Sequence, residues 1–134
     1  MKTNNIVIKV LLFTTAITIL VYWILVFLKI FPVTELVAGY VKWFMSFPIA
    51  DSWILLTSVV SLIKLYGHRN SSAAPWLAAT GSALIFLGIY GFTYGYLTGL
   101  LFNLTFDEII EIMIKIYCLA VGGYFIYKAT TLGK

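Results

Sequence analysis

Residues 10–28 read VLLFTTAITILVYWILVFL, 19 positions without a charge, bounded by Lys9 and Lys29. At 1.5 Å per residue such a helix rises about 28 Å, close to the roughly 30 Å hydrocarbon thickness of a bilayer. The apolar core of a signal peptide is shorter, about 7–15 residues, and no small-residue cleavage pattern follows. The stretch reads as a first membrane span.

Three further apolar runs lie downstream. Residues 47–66 carry Asp51 near one end and Lys64 near the other. Residues 70–106 are a 37-residue run with no charge. They read as a helix over 75–98, with Pro75 in its first turn where the missing N–H costs nothing, followed by an interfacial stretch over 99–106. Residues 109–127 contain Glu111 and Lys115. The expected fold is an all-α integral membrane protein of one domain, residues 1–134. Four transmembrane helices, at about 8–30, 48–66, 75–98 and 108–128, form a bundle. The spans differ in composition and show no internal repeat.

Composition agrees. Of 134 residues, 62% are hydrophobic and 10% charged, whereas a soluble domain has about 25% charged residues. Too few polar side chains are present to cover a water-facing surface. The single cysteine, Cys118, excludes an intrachain disulfide, and the single histidine, His68, excludes bis-histidine haem ligation. No cofactor or metal is expected, and no phosphate-binding glycine loop or G-x-S-x-G elbow is present. The net charge of +4 comes from basic residues scattered at segment ends, so nucleic acid is not an expected partner.

Those basic residues carry the orientation. Lys2, Lys9, Lys64, Arg69, Lys128 and Lys134 flank one side of the four spans, while all five acids (Glu35, Asp51, Asp107, Glu108, Glu111) fall on the other with Lys29, Lys42 and Lys115. Positive charge stays cytoplasmic, so both termini are expected in the cytoplasm, in a multi-pass plasma or inner membrane protein.

Between the first two spans, Leu36, Val37, Tyr40, Val41, Phe44 and Phe47 recur at helical spacing, with Glu35, Lys42 and Ser46 opposite. This predicts an interfacial amphipathic helix over about 33–46, too short to span. It is either a surface link or a lid over an outward-facing cavity. Trp43 and Trp53 fit an outer aromatic belt, and Tyr66, Trp76 and Tyr127 an inner one.

Polar residues within the spans should face the protein interior. Thr14, Thr18, Tyr22 and Lys29 share one face of the first span, and Asp51, Ser58 and Ser61 one face of the second. Gly81, Gly88, Gly91, Gly95 and Gly99 fall within about 80° on a 3.6-residue wheel, a surface on which another backbone can pack closely. Gly122 and Gly123 are candidate partners for it. In the fourth span Glu111 and Lys115 stand at i, i+4, the favourable order for a helical ion pair. Ionisable groups inside a membrane mark functional sites by default, so Asp51, Glu111 and Lys115 are candidate ligand or proton sites that converge near the outer leaflet. The bland readings are a charge pair set by topology and a helix N-cap at Asp51. His68-Arg69-Asn70 reads as a solvated turn, Asn103-Leu104-Thr105 as a chance glycosylation sequon and Cys118 as packing.

The leading functional expectation is a small non-enzymatic membrane protein. It binds a lipid or other apolar ligand, or serves as an accessory subunit beside a larger membrane partner or in a homo-oligomer. A small oligomeric proton-coupled transporter using Asp51, Glu111 and Lys115 is the alternative. A membrane enzyme acting on a lipid-like substrate comes third, because no nucleophile or metal set is recognisable.

Overall fold

The computed structural model of the chain describes residues 5–134; Lys2, one of the orienting charges, lies outside them. The described residues form α1 (Ile6–Phe27), α2 (Tyr40–Phe44), α3 (Phe47–Tyr66), α4 (Asn70–Thr98) and α5 (Phe106–Leu132), with a single 3-10 turn at Leu100–Phe102. Four helical stretches, Ile6–Phe27, Tyr40–Tyr66, Asn70–Thr98 and Phe106–Leu132, are long and apolar enough to cross a membrane. Their outward faces carry residues such as Phe13, Ile63, Phe86, Leu97 and Ile116, all more than half exposed. That surface suits lipid and not water.

Local chemistry sets the helix ends. α3 opens with Pro48 in its first turn, where the missing N–H has no intrahelical partner to lose. α4 stops at Gly99, whose φ of +76° suits glycine. α5 starts after Thr105, whose Oγ1 accepts from the Glu108 N–H at 3.3 Å, with Asp107 and Glu108 in the first turn.

Two expected boundaries are corrected. α4 begins at Asn70 and not at Pro75, so Pro75 lies inside the helix. The carbonyl left without its i+4 donor belongs to Ser71, which is exposed at the helix start, where solvent can bond it. Arg69 supplies the cap, its carbonyl accepting from Ala73 N–H at 3.0 Å. The continuous helix expected over 33–46 is reduced to the five residues of α2. Gly39, at φ +83°, breaks it, and the Glu35 carboxylate accepts from the Gly39 and Val41 N–H groups. Glu35 therefore caps α2 instead of lying on its polar face.

α1 packs on α3, α3 on α4 and α4 on α5, the last pair most extensively. Asn5 Nδ2 donates to Asn70 Oδ1 at 3.3 Å, and Lys9 Nζ lies 4.4 Å from the centroid of Tyr66. Gly133 approaches Ala74. The start of α1, the end of α5 and the 67–69 turn thus lie at one end of the molecule, and α2 and the 3-10 turn at the other. Leu12, Leu65, Leu77 and Phe125 fill the interior nearer the first of these ends, each 1% exposed or less.

The glycines explain the close α4–α5 contact. A Cβ on Gly81 would sit 2.6 Å from the Gly122 carbonyl oxygen, and one on Gly122 would sit 2.7 Å from that of Gly81. Neither oxygen can move without its helix. Gly123 faces open space instead. Gly99 is exposed and lies past the helix end, so it leaves the packing face that the wheel assigned to it. Gly81→Ala and Gly122→Ala are each expected to lower stability by about 1–3 kcal/mol, the range for overpacking, while Gly123→Ala, whose Cβ meets nothing, is expected to raise it by up to about 1 kcal/mol through helix propensity. Thermal melts in detergent measure the difference.

Candidate functional site

The fourth apolar helix carries the charges inward. On α5, Glu108, Glu111, Lys115, Cys118 and Gly122 follow one another at three- or four-residue steps along one stripe, which is turned towards α4. Lys115 is 9% exposed. Its Nζ lies 3.4 Å from Glu108 Oε1 and 3.4 Å from Glu111 Oε2. Tyr40 of α2 donates from Oη to Glu111 Oε1 at 2.9 Å. The expected Glu111–Lys115 pair is therefore present as half of a three-residue cluster.

α4 makes the space for that lysine. A Cβ on Gly91 would stand 3.2 Å from Lys115 Cε, and one on Gly95 3.7 Å from Nζ. The glycine face thus does two things: at Gly81 it admits a backbone, and at Gly91 and Gly95 it seats a charged side chain. An aliphatic stem laid along glycines with its head held by carboxylates keeps a buried ammonium neutralised.

Asp51 sits within α3, one turn inside its start, so the N-cap reading of this residue is corrected. Trp23 Nε1 of α1 donates to Asp51 Oδ2 at 2.8 Å, while Oδ1 is buried without a hydrogen-bond partner. Asp51, Glu111 and Lys115 all border one cavity of about 170 Å3, but Asp51 forms no ion pair with Lys115. They converge on a shared space and not on one another.

The cavity is lined from every helix: Tyr22 and Trp23 of α1, Trp43 and Phe44 of α2, Asp51 of α3, Gly88 and Gly91 of α4, Tyr117 and Cys118 of α5. α1 and α5 flank it without extensive packing on each other, and a hydrogen bond of 2.9 Å joins Thr15 Oγ1 and Tyr117 Oη. Thr18 and Ile114, both on the cavity wall, are exposed at this gap. α2 covers the near end: Tyr40 is buried, and the Trp43 ring stacks on Tyr94 at 3.7 Å and 7°.

Some expectations are displaced by one step. On α1, Thr18 and Tyr22 of the expected polar face line the cavity, whereas Thr14 is exposed with Thr15 buried in its stead, and Lys29 lies exposed outside the helix. Asp51, Ser58 and Ser61 are buried as their spacing implies, together with Thr57, which accepts from Thr80 Oγ1 of α4 at 2.9 Å. Trp43 lines the cavity. Among the described residues, no group of three or more His, Cys, Asp or Glu side chains forms a potential metal site.

Sequence reasoning missed Glu108, Trp23 and Tyr40. For Glu108 a signal existed: Thr105-x-x-Glu108 has the capping-box spacing, in which the glutamate turns back to the cap residue's N–H. Here the threonine half is made, but the carboxylate goes to Lys115 and the Thr105 N–H donates to the Asn103 carbonyl.

Comparison with protein-family models, curated proteins and solved structures finds no match. The geometry alone carries the functional reading.

Removing one partner of a buried ion pair leaves an uncompensated charge, a loss of about 3–5 kcal/mol. Lys115→Met is expected to destabilise on that scale, since Glu108 is 6% exposed. Adding Glu108→Gln to Lys115→Met restores most of the loss. Melting temperatures of the single and double variants give the comparison; equal losses in both would refute the charge argument.

Proposed function

We propose that this small membrane protein is a non-catalytic binder of a small lipid-like or other apolar ligand, held in the cavity between α1 and α5. The observation that carries this reading is the cavity itself: about 170 Å3, aromatic and aliphatic over most of its wall, polar at Asp51 and at Glu111–Lys115. A mostly apolar pocket with a few convergent polar groups is the usual form of a small-molecule site. The gap between α1 and α5 offers a route from the bilayer, so a ligand dissolved in lipid reaches the site without crossing water.

Proton-coupled transport draws on the same buried charges. In this structure the end towards the 67–69 turn is closed by Leu12, Leu65, Leu77 and Phe125, and the cavity supports binding directly, whereas transport would need a second, oppositely open state. Binding is the reading better supported.

In this proposal the four helices span the membrane as a bundle, with the chain ends and the 67–69 turn cytoplasmic and α2 at the outer face. The bias of Lys9, Lys64, Arg69, Lys128 and Lys134 to the first side supports it. The cavity then opens in the outer leaflet, where its lipid-like ligand would be met.

Two measurements test these points. Native mass spectrometry of the protein released from nanodiscs is expected to find one retained small molecule per chain. Ile114→Trp, which fills the exposed gap without entering the packed interior, is expected to abolish it. A bare wild-type protein would remove the reading. For orientation, single cysteines are placed at exposed His68 and Leu104 in a Cys118→Ala background. A membrane-impermeant maleimide is expected to label position 104 from outside intact cells and to leave position 68 unlabelled.

A further inference from the structure

Two side chains of the cavity wall keep a buried polar atom without a partner, Asp51 at Oδ1 and Trp43 at Nε1, and Asp51 is the charged one. The residue is 9% exposed, Trp23 occupies Oδ2, and Oδ1 is buried with no hydrogen-bond partner. A buried carboxylate oxygen without a donor is unfavourable. None of the described lysine or arginine side chains pairs with it. Lys115, the cation on the same cavity wall, is held by Glu108 and Glu111 at 3.4 Å each. The cavity wall itself carries Asp51, Glu111 and Lys115, with Glu108 on the far side of the lysine pair, so when ionised the acids outnumber the single ammonium and Asp51 keeps no cation of its own.

The walls around Asp51 match the charge. Tyr22, Trp23, Trp43, Phe44 and Phe47 border the same space. Aromatic faces attract cations, most strongly when water is excluded. An anionic ligand would meet a worse environment, because Lys115 would have to give up a carboxylate to receive it.

We propose that the cavity's ligand is a protonated amine of about single-ring size, its N–H donating to Asp51 Oδ1 and its hydrocarbon part lying among the aromatic side chains. The inference rests on the reading that the cavity takes a small apolar or amphiphilic molecule, and it names the chemistry of that molecule. The size follows from the volume: cavities of roughly 150 Å3 hold a benzene ring. Longer hydrocarbon would extend through the gap between α1 and α5. The unsatisfied oxygen requires a hydrogen-bond donor, so an amine bearing N–H is selected over a quaternary ammonium of the same shape.

The test uses the full-length protein in phosphatidylcholine nanodiscs, titrated with benzylamine, benzyltrimethylammonium and toluene at a pH where benzylamine is protonated. Quenching of tryptophan fluorescence from Trp23 and Trp43 reports binding, with empty nanodiscs subtracted in a parallel calorimetric titration. Wild type is expected to bind benzylamine at least tenfold more tightly than toluene and more tightly than benzyltrimethylammonium. In Asp51→Asn the preference for benzylamine over toluene falls below threefold while toluene binding is unchanged. Trp23→Phe keeps a ring in place and frees Oδ2, so the benzylamine preference is expected to rise; this variant decides the matter if Asp51→Asn does not fold. Equal affinity for benzylamine and toluene in wild type overturns the amine inference and leaves the apolar-ligand reading standing. A preference that survives in Asp51→Asn, or that fails to rise in Trp23→Phe, overturns it as well. If wild type binds neither ring, the apolar-ligand reading falls and the amine inference with it.

Discussion

A lysine carried into an apolar interior must be neutralised where it sits, and three elements are arranged around that requirement at Lys115. Two carboxylates come from its own helix, one turn and two turns towards the helix start, each 3.4 Å from the ammonium. α4 supplies Gly91 and Gly95, beside which the lysine stem and head lie. α2 supplies the Tyr40 hydroxyl, which bonds the carboxylate of Glu111. Remove any of these contributions and the others lose their reason: the glycines become a gap, and a buried glutamate loses its counter-ion. In lipid, burying apolar surface gives helices little reason to associate. Close packing at Gly81–Gly122 and polar contacts such as these therefore supply much of the specificity of the α4–α5 pairing.

The same cluster ties α2 in place. α2 has five residues and is too short to hold its position by its own hydrogen bonds. Two external ties position it, Tyr40 on Glu111 and Trp43 stacked on Tyr94, and the Glu35 carboxylate closes the turn at Gly39 locally. The first of these links α2 directly to the ion cluster, so the cover of the cavity and the charge on its wall are parts of one network. Movement of Lys115 or Glu111 would be felt at Tyr40. Any ligand entering beneath α2 would meet a structure whose polar and aromatic contacts are already in place, which is the condition for binding without a large ordering penalty.

Much of this was legible in the sequence, and the failures have physical causes. The four apolar helices follow from uncharged runs of bilayer length, a constraint strong enough to survive ignorance of every tertiary contact. Gly81, Gly88, Gly91 and Gly95 were placed correctly on a buried face by the helical period alone, but Gly99 was not, because the period ends where the helix ends. The i, i+4 pair of Glu111 and Lys115 was readable for the same reason. Glu108 was not: the seven-residue step puts it on the face of Lys115 but two turns away, and its capping-box position argues for a different role. The helix over 33–46 failed at Gly39: a periodic pattern says which face would be apolar if the segment were helical, and the left-handed glycine and the Glu35 cap decide otherwise. Trp23 and Asp51 meet across 28 positions, a contact that one sequence cannot announce.

What separates the two charged centres on the cavity wall is how completely each is satisfied. At Lys115 donors and acceptors are matched within the protein, and the cluster contributes to the fold. At Asp51 one oxygen is bonded and the other is buried without a donor, so the fold holds the carboxylate in position without completing it. A residue needed only for packing would be better served by an asparagine or a leucine, neither of which brings a formal charge into hydrocarbon. A residue meant to be completed by something from outside should look as Asp51 does: fixed in direction by Trp23, surrounded by aromatic faces, and set on the wall of a space just large enough for a small ring. The buried side chains Leu12, Leu65, Leu77 and Phe125 towards the other end of the molecule supply a packed base on which such a half-finished site can persist.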